Sequence, residues 1–420
     1  MGQRRGRRIS IGAGISLLLL IAGLVCTPAC RNGAAPGDRS AAPVPVRAAA
    51  EQAGPAEAPV PDRIDRDLDA RFAFAAGLPV TAPAYRAWQE EPSWKGFSAL
   101  AEKAWGEFDA AILGPMATWA GKDLVDVREK TKILFYPFGG PDFATSATLF
   151  PEAATTVLIG LEPVGNMPDF SRSSAKERED FFTDLGTLTS QFLSHGYFIT
   201  MHMMDTYSLG HVDGALPVIG FFLKRAGYSV VALRRLAPDG TGAWTETPYG
   251  PLTKRPHRPY GVKIDYSAQG GGPLRSVYYF SCNIENPSFP PGSPMFRFFE
   301  DLGNLTTFVK AGSYLLHWEN FSNLRGLILD RSLFVLQDDT AVPYRYFKRE
   351  GWDITLFGRY TSPVKDFTNV EQPDLREAYE DPSTGVHALP FHFGYRWRTQ
   401  VDNLLLAKRP RRPYKVPVNH

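Results

Sequence analysis

The clearest chemical grouping in this 420-residue chain is Gln337-Asp-Asp-Thr340, followed by Pro343-Tyr-Arg-Tyr346. It comes directly after the apolar run Leu333-Phe-Val-Leu336. Open α/β sheets place their ligands at the carboxyl ends of parallel strands. Neighbouring side chains on extended backbone face opposite ways. One of Asp338 and Asp339 would therefore face a cleft while the other caps a turn. Paired carboxylates at a fixed separation can do acid–base work. Asp338 and Asp339 are thus the candidate catalytic residues, with Arg345 as a candidate cation beside them. His317, in Tyr314-Leu-Leu-His-Trp-Glu-Asn-Phe-Ser322, is a second candidate partner, although a His beside Trp318 is usually a packed or capping residue.

A second grouping is Tyr136-Pro-Phe-Gly-Gly-Pro-Asp142 with Glu162 just over twenty residues beyond Gly139. Glycines after a first strand let backbone approach a ligand, and an acidic residue after the next strand can hold a ribose hydroxyl. Gly139, Gly140, Asp142 and Glu162 are the candidate ligand-binding residues. The unit resembles the opening of a class I methyltransferase or another nucleotide-binding domain. It departs from both, because Gly-Gly-Pro-Asp is not the GxGxxG fingerprint and Pro141 removes an N–H. Asp142 is equally suited to capping the next helix. A third grouping, His202, Asp205, His211 and Asp213, has metal-ligating types but matches no zinc signature; no metal site is expected. GxSxG, P-loop, HExxH and CxxC patterns are missing from the part after residue 62. No cofactor is named by these motifs.

The elements that must carry these residues follow from periodicity. Lys132 to Phe138 and Thr155 to Leu161 are short, continuously apolar runs, separated by a glycine turn and a helical stretch from Phe143 to Phe150. Strand, helix, strand in that order reads as a βαβ unit of a parallel sheet. Strands are also expected over Tyr228–Leu233, Leu333–Leu336 and Ile354–Phe357. Val262–Tyr266 and Ser276–Phe280, flanking Gly270-Gly-Gly272, predict an antiparallel hairpin. Helices are expected from about Ser174 to Ser194, opening with capping residues before Glu177, and near Leu216–Arg225, Met295–Asp301 and Asn320–Asp330. Leu100, Ala101, Ala104, Trp105, Phe108 and Ile112 fall on one helix face. The expected fold is α/β: a Rossmann-like, largely parallel sheet with flanking helices, an N-terminal helical segment over 63–125, a main domain over 126–407 and a hairpin insertion. On that sheet Gly139 to Asp142, Glu162 and Asp338-Asp339 should share one cleft.

The ends of the chain carry an address. Met1 to Arg8 holds four arginines, and Ile9 to Val25 follows without a charge. A basic region, an apolar region and small residues make a secretory signal over 1–30. The apolar run is roughly 17 residues, the lower limit for spanning a bilayer. Cys30, after Ala29, is the candidate lipidation site, although Thr27 and Pro28 fit a lipoprotein signal poorly. Arg7-Arg8 keeps a twin-arginine route open. Residues 31–62 are rich in Ala, Pro and Gly and lack aromatic residues, the composition of a disordered tether. Residues 408–420 form a basic tail. The expected location is the periplasm or outer envelope, with a lipid or the signal itself as the membrane anchor. A net charge of +2 gives no electrostatic case for nucleic acid; the ligand is unknown, with a small molecule or glycan as one class open to it. Cys282, in an apolar run, is expected to be a buried structural thiol.

YPFGGPDF, VLIGLEPVG, SYLLHWENFSNLR, VLQDDTAVPYRYF and LPFHFGYR together resemble a family of bacterial envelope proteins and lipoproteins without an assigned activity. The resemblance runs from about Thr131 to Ala407. It implies a single module and transfers no catalytic residue. Three functions stay open: a tethered envelope protein that binds a ligand, an envelope hydrolase using Asp338 or Asp339, and a methyltransferase-like enzyme folded before export.

Overall fold

The computed structural model describes residues 64–198, 210–250, 260–367, 369–396 and 401–410. The signal, Cys30, the tether, His202, Asp205 and residues 411–420 lie outside them. Ten strands form one sheet: β1 (Ile133–Tyr136), β2 (Thr155–Gly160), β3 (Tyr228–Pro238), β4 (Trp244–Pro248), β5 (Tyr260–Ala268), β6 (Arg275–Ser281), β7 (Leu305–Val309), β8 (Ser332–Gln337), β9 (Asp353–Gly358) and β10 (Asn403–Lys408). Across the sheet the order is β4-β3-β5-β6-β2-β1-β7-β8-β10-β9.

The fold is α/β, and the sheet is mixed. The five central strands, β6-β2-β1-β7-β8, run parallel. Every pair outside them is antiparallel. This corrects the expectation of a largely parallel sheet. Tyr228–Leu233 belongs to β3, which runs on to Pro238 and pairs antiparallel with both β4 and β5. For two of these pairs the reason is local: the short connections Asp239–Ala243, from β3 to β4, and Gln269–Leu274, from β5 to β6, fold the chain straight back, whereas parallel neighbours need a long crossover. The hairpin around Gly270 forms between β5 and β6. Three strands were not expected from the sequence: β4, β7 and β10. Leu305-Thr-Thr-Phe-Val309 carries two threonines in its middle, and Asn403–Lys408 is read only once its pairing between β8 and β9 is known.

Alternation along the strands divides the core into two layers. Leu134 and Tyr136 of β1 face one side and Phe135 the other. On the first face pack α1 (Arg66–Ala75), α2 (Pro92–Phe108), α3 (Gly114–Asp123), α4 (Val125–Lys130), α5 (Phe143–Leu149), α6 (Ala175–His195) and α7 (Ala215–Arg225). On the second pack α8 (Pro294–Asp301), α9 (Ser322–Arg331), α10 (Tyr344–Glu350) and α11 (Pro373–Glu380). The helix stops and starts follow the sequence. Ser174 and Glu177 form a reciprocal capping box at the start of α6, and Gly196, at φ 74°, ends it. Trp94 stacks on Phe74 and donates its indole N–H to the Phe74 carbonyl, while Trp119 meets Phe357 and Phe391 edge-on. These tryptophans anchor the core. Between α2 and α3, Asp109–Leu113 forms a π-helical turn. Such turns are frequent at functional sites because they widen a helix locally.

Candidate functional site

Strands β1, β7 and β8 lie side by side and end on one edge, so whatever follows them is gathered there. After β1 the backbone turns through Phe138 (φ 64°) and Gly140 (φ 54°) and reaches Asp142. Asp142 caps α5 by accepting the Thr145 N–H at 3.0 Å on Oδ1. Its other oxygen accepts the Tyr136 hydroxyl at 3.0 Å and Lys310 Nζ at 2.6 Å. Lys310 follows β7 and also donates to Thr145 Oγ1 at 2.9 Å. Both ends of this ion pair are nearly withdrawn from water, at 4% and 2% side-chain exposure. Burial, and then the Asp142 charge, hold the Tyr136 hydroxyl protonated well above the usual phenol range.

Beyond Lys310 the backbone is strained. Among the described residues, four that are not glycine have positive φ: Phe138, Ala311, Ser313 and Tyr314. All lie in the loops after β1 and β7. A side chain in that region costs on the order of 1–3 kcal/mol, and such residues cluster at active sites and ligand clamps. The Ala311–Tyr314 loop is held by the segment after β8. Asp338 accepts Ala311 N–H at 2.9 Å and Thr340 N–H at 3.0 Å, and the Thr340 hydroxyl also donates to it. Thr340 in turn receives Gly312 N–H at 2.6 Å on its hydroxyl and Tyr314 N–H at 3.0 Å on its carbonyl.

Asp339 points the other way, as alternation requires. It receives Asn403 Nδ2 at 2.7 Å, the Tyr314 hydroxyl, and both Nε and a terminal nitrogen of Arg396 at 3.3 and 3.1 Å. Its backbone N–H donates to Asn403 Oδ1 at 2.9 Å, and Gln372 donates to its carbonyl at 2.9 Å. The cation at this aspartate is Arg396. Arg345, the cation expected from sequence, lies exposed on α10 with its guanidinium over Tyr346. The gap between Asp338, Asp339, Arg396 and Asn403 is too small to admit a water molecule. Burial, and then the neighbouring Asp339 charge, push the Asp338 carboxyl up to about 6. His317 packs edge-on against the Tyr314 ring, with centroids 5.2 Å apart. Its Nε2 has no hydrogen-bond partner, and burial lowers the imidazole to about 4, assisted by the charge of Arg345.

Glu162 follows β2 and is 2% exposed. Its carboxylate lies against the bare faces of Gly140 and Gly160, where added Cβ atoms would stand 3.6 and 2.2 Å from Oε2. Tyr279 donates to its carbonyl at 2.8 Å and approaches Oε2 at 3.3 Å. Gly139 sits over the Tyr136 ring, which leaves no space for a Cβ. His211 pairs with Asp184 on the surface, and Asp213 accepts from Asn166. No group of three metal-ligating side chains occurs among the described residues. Burial pushes the Cys282 thiol up to about 12, the behaviour of an inert core thiol.

The open space is elsewhere on the same edge. A cavity of about 590 Å3 lies above Lys310 and Thr145. Its apolar wall includes Phe108, Ile112 and Met116 at the π-helical turn, together with Leu193 and Phe393. His195 and His392 also line it. His392 Nδ1 lies 2.9 Å from Asp402 Oδ2, and Asp402 Oδ1 accepts the Phe393 N–H at 2.7 Å. Gly394, at φ 59°, lets this segment cross directly over Asp338 and Lys310. Lys310, Thr145, His392 and Asp402 were not singled out in the sequence. Lys310 was hidden behind the unrecognised strand β7. His392 sits in LPFHFGYR, a motif visible as a motif but without a local pattern that shows its role.

No family model, curated protein or solved structure matches the chain. Among the described residues no helix is long and apolar enough to cross a membrane.

Proposed function

We propose that this chain is an exported, envelope-tethered protein that binds a small, mainly apolar molecule in the cavity at the carboxyl edge of its sheet. The signal-like first thirty residues and the Ala/Pro-rich stretch support the tether, with Cys30 as its lipid attachment point. The observation that carries the binding reading is the cavity floor. The buried Lys310–Asp142 pair is neutral overall, and among the described residues Lys310 uses two of its three N–H donors. The third suits a hydrogen-bond acceptor such as a carbonyl oxygen. A cavity of this size with an apolar wall and few polar groups is the usual form of a small-molecule site. The neutral naphthyl ketone prodan tests it, because its emission reports both apolar burial and hydrogen bonding to its carbonyl. Wild-type protein should bind prodan saturably with blue-shifted emission. Ala104→Trp, which fills the cavity, should abolish the shift. Equal binding by both proteins would refute the reading.

The strand order supports a second reading. Numbered in chain order, the seven strands from β6 to β9 run 3-2-1-4-5-7-6, with the seventh antiparallel. This order resembles that of class I methyltransferases, and Glu162, after the second strand, is the acidic residue that such a reading would set against a ribose. The fit of the residues is poor, since the Glu162 carboxylate is folded in beneath Gly140 and engaged by Tyr279. Fold analogy alone does not assign a cofactor. Calorimetric titration with S-adenosylhomocysteine decides it: binding that Glu162→Ala removes would establish this reading, and no heat would end it. Hydrolysis by Asp338 or Asp339 has the least support, because their oxygens are taken up by hydrogen bonds that hold the surrounding loops together.

A further inference from the structure

We propose that the cavity is a hydrolytic site in which His392, oriented by Asp402, is the general base and Lys310, oriented by Asp142, stabilises the oxyanion of an apolar carboxylic ester. The proposal rests on the cavity being the ligand site and adds chemistry to it. Asp402 is 7% exposed and its two oxygens are spent on the His392 ring and the Phe393 N–H, so the imidazole is held in one orientation. A carboxylate on Nδ1 fixes the N–H there and leaves the Nε2 lone pair available as a base. Among the described residues Nε2 of His392 makes no hydrogen bond. The side chain is 42% exposed and lines the cavity, so water reaches it.

The other half of the site is the cation. Lys310 is fixed by Asp142 and Thr145, and its ammonium lies 5.3 and 6.0 Å from the centres of the Phe192 and Phe393 rings. A preorganised donor in a dry setting favours charge that develops during reaction over charge already present. His195 also lines the cavity, and its Nδ1 lies 2.8 Å from the Gln191 carbonyl. Glu107 is the remaining titratable group on the lining. Asp338 lies against Gly394 and is not one of the residues that line the cavity.

The step balances without a cofactor. A water oxygen bonds to the ester carbonyl carbon while one of its protons passes to His392 Nε2. The carbonyl π electrons move to the oxygen, which accepts the Lys310 N–H. The bond to the alcohol oxygen then breaks, and the electron pair leaves on that oxygen as it takes the proton back from His392. The products are a carboxylic acid and an alcohol.

Hydrolysis of p-nitrophenyl butyrate by the full chain tests this. Wild type should turn it over above the buffer rate. His392→Gln should lower kcat by about 10²-fold or more, the usual contribution of a positioned base, with an unchanged melting temperature. Asp402→Asn should lower kcat with little effect on KM. His211→Gln, on the surface away from the cavity, should match wild type. A wild-type rate equal to buffer, or full activity in His392→Gln, overturns the proposal. Prodan binding separates the two levels: binding without turnover leaves the cavity as a ligand site and removes the catalysis, whereas loss of both removes the cavity reading as well.

Discussion

Asp142 with Lys310 and Asp339 with Arg396 are similar pairs in different settings. Each joins an aspartate to a cation, each is almost out of water, and both lie at the carboxyl ends of the same group of strands. Asp339 accepts four hydrogen bonds from Arg396, Asn403 and Tyr314, and no space for water is left beside it. A carboxylate has about four acceptor positions, so that pair is closed. The Asp142 pair receives three donors, and Lys310 retains an N–H beside a cavity of about 590 Å3. The difference is one of completion. A saturated ionic cluster fixes three loops in place, and an incomplete one next to space is available to a ligand.

The largest effect that tests this comparison is on the closed pair. Arg396→Met should cost about 3–5 kcal/mol in urea unfolding, because it strands a buried carboxylate. Adding Asp339→Asn should recover only part of this, since Asn403 and Tyr314 still aim donors at the position. The open pair should behave differently. Lys310→Met alone should cost about 3 kcal/mol for the same reason. The double variant Lys310→Met/Asp142→Asn should return to within about 1.5 kcal/mol of wild type, because asparagine still caps α5. If the two doubles recover equally, the distinction between closed and open pairs fails.

Acid titration gives a smaller effect. Asp338 in the folded chain takes its proton near pH 6, whereas an unfolded aspartate does so near 3.8. Between those values the folded state holds more protons, so acidification stabilises it through this group. His317 has the opposite sign. Its folded value of about 4 lies below the ordinary 6.5, so the unfolded chain gains the proton first and stability falls as pH drops across that window. Relative to wild type, Asp338→Asn should lose on the order of 2 kcal/mol more between pH 6.5 and 4. His317→Phe should lose less than wild type over the same range. Parallel curves for all three proteins would show that neither group titrates as its surroundings dictate.

Much of the architecture was legible because burial writes itself into short patterns. The apolar runs at β1, β2 and β8, the glycine turn before β6, and Ser174 with Glu177 at the start of α6 all act within a few residues. Antiparallel pairing of β3 was not legible, since an apolar strand buried on both faces looks the same in either direction. The site was legible by half. Reading glycines and carboxylates after strands led to Asp142, Glu162 and Asp338, which do lie on one sheet edge or beside it. The cations could not be read. Lys310 is 168 positions from Asp142, and Arg396 is 57 from Asp339. Only the order of β1, β7, β8 and β10 in the sheet brings them together.

The central claim is that ligand binding belongs to the Lys310 pair and loop anchoring to the Asp338–Asp339 cluster. Prodan titration of wild type, Asp338→Asn and Lys310→Met/Asp142→Asn, each at a temperature where it is fully folded, tests this most directly. The account predicts that Asp338→Asn binds within about threefold of wild type with the same emission. The double variant should bind at least tenfold more weakly, about 1.4 kcal/mol, and lose the spectral mark of a hydrogen-bonded carbonyl. Unchanged binding in the double variant together with lost binding in Asp338→Asn would contradict it.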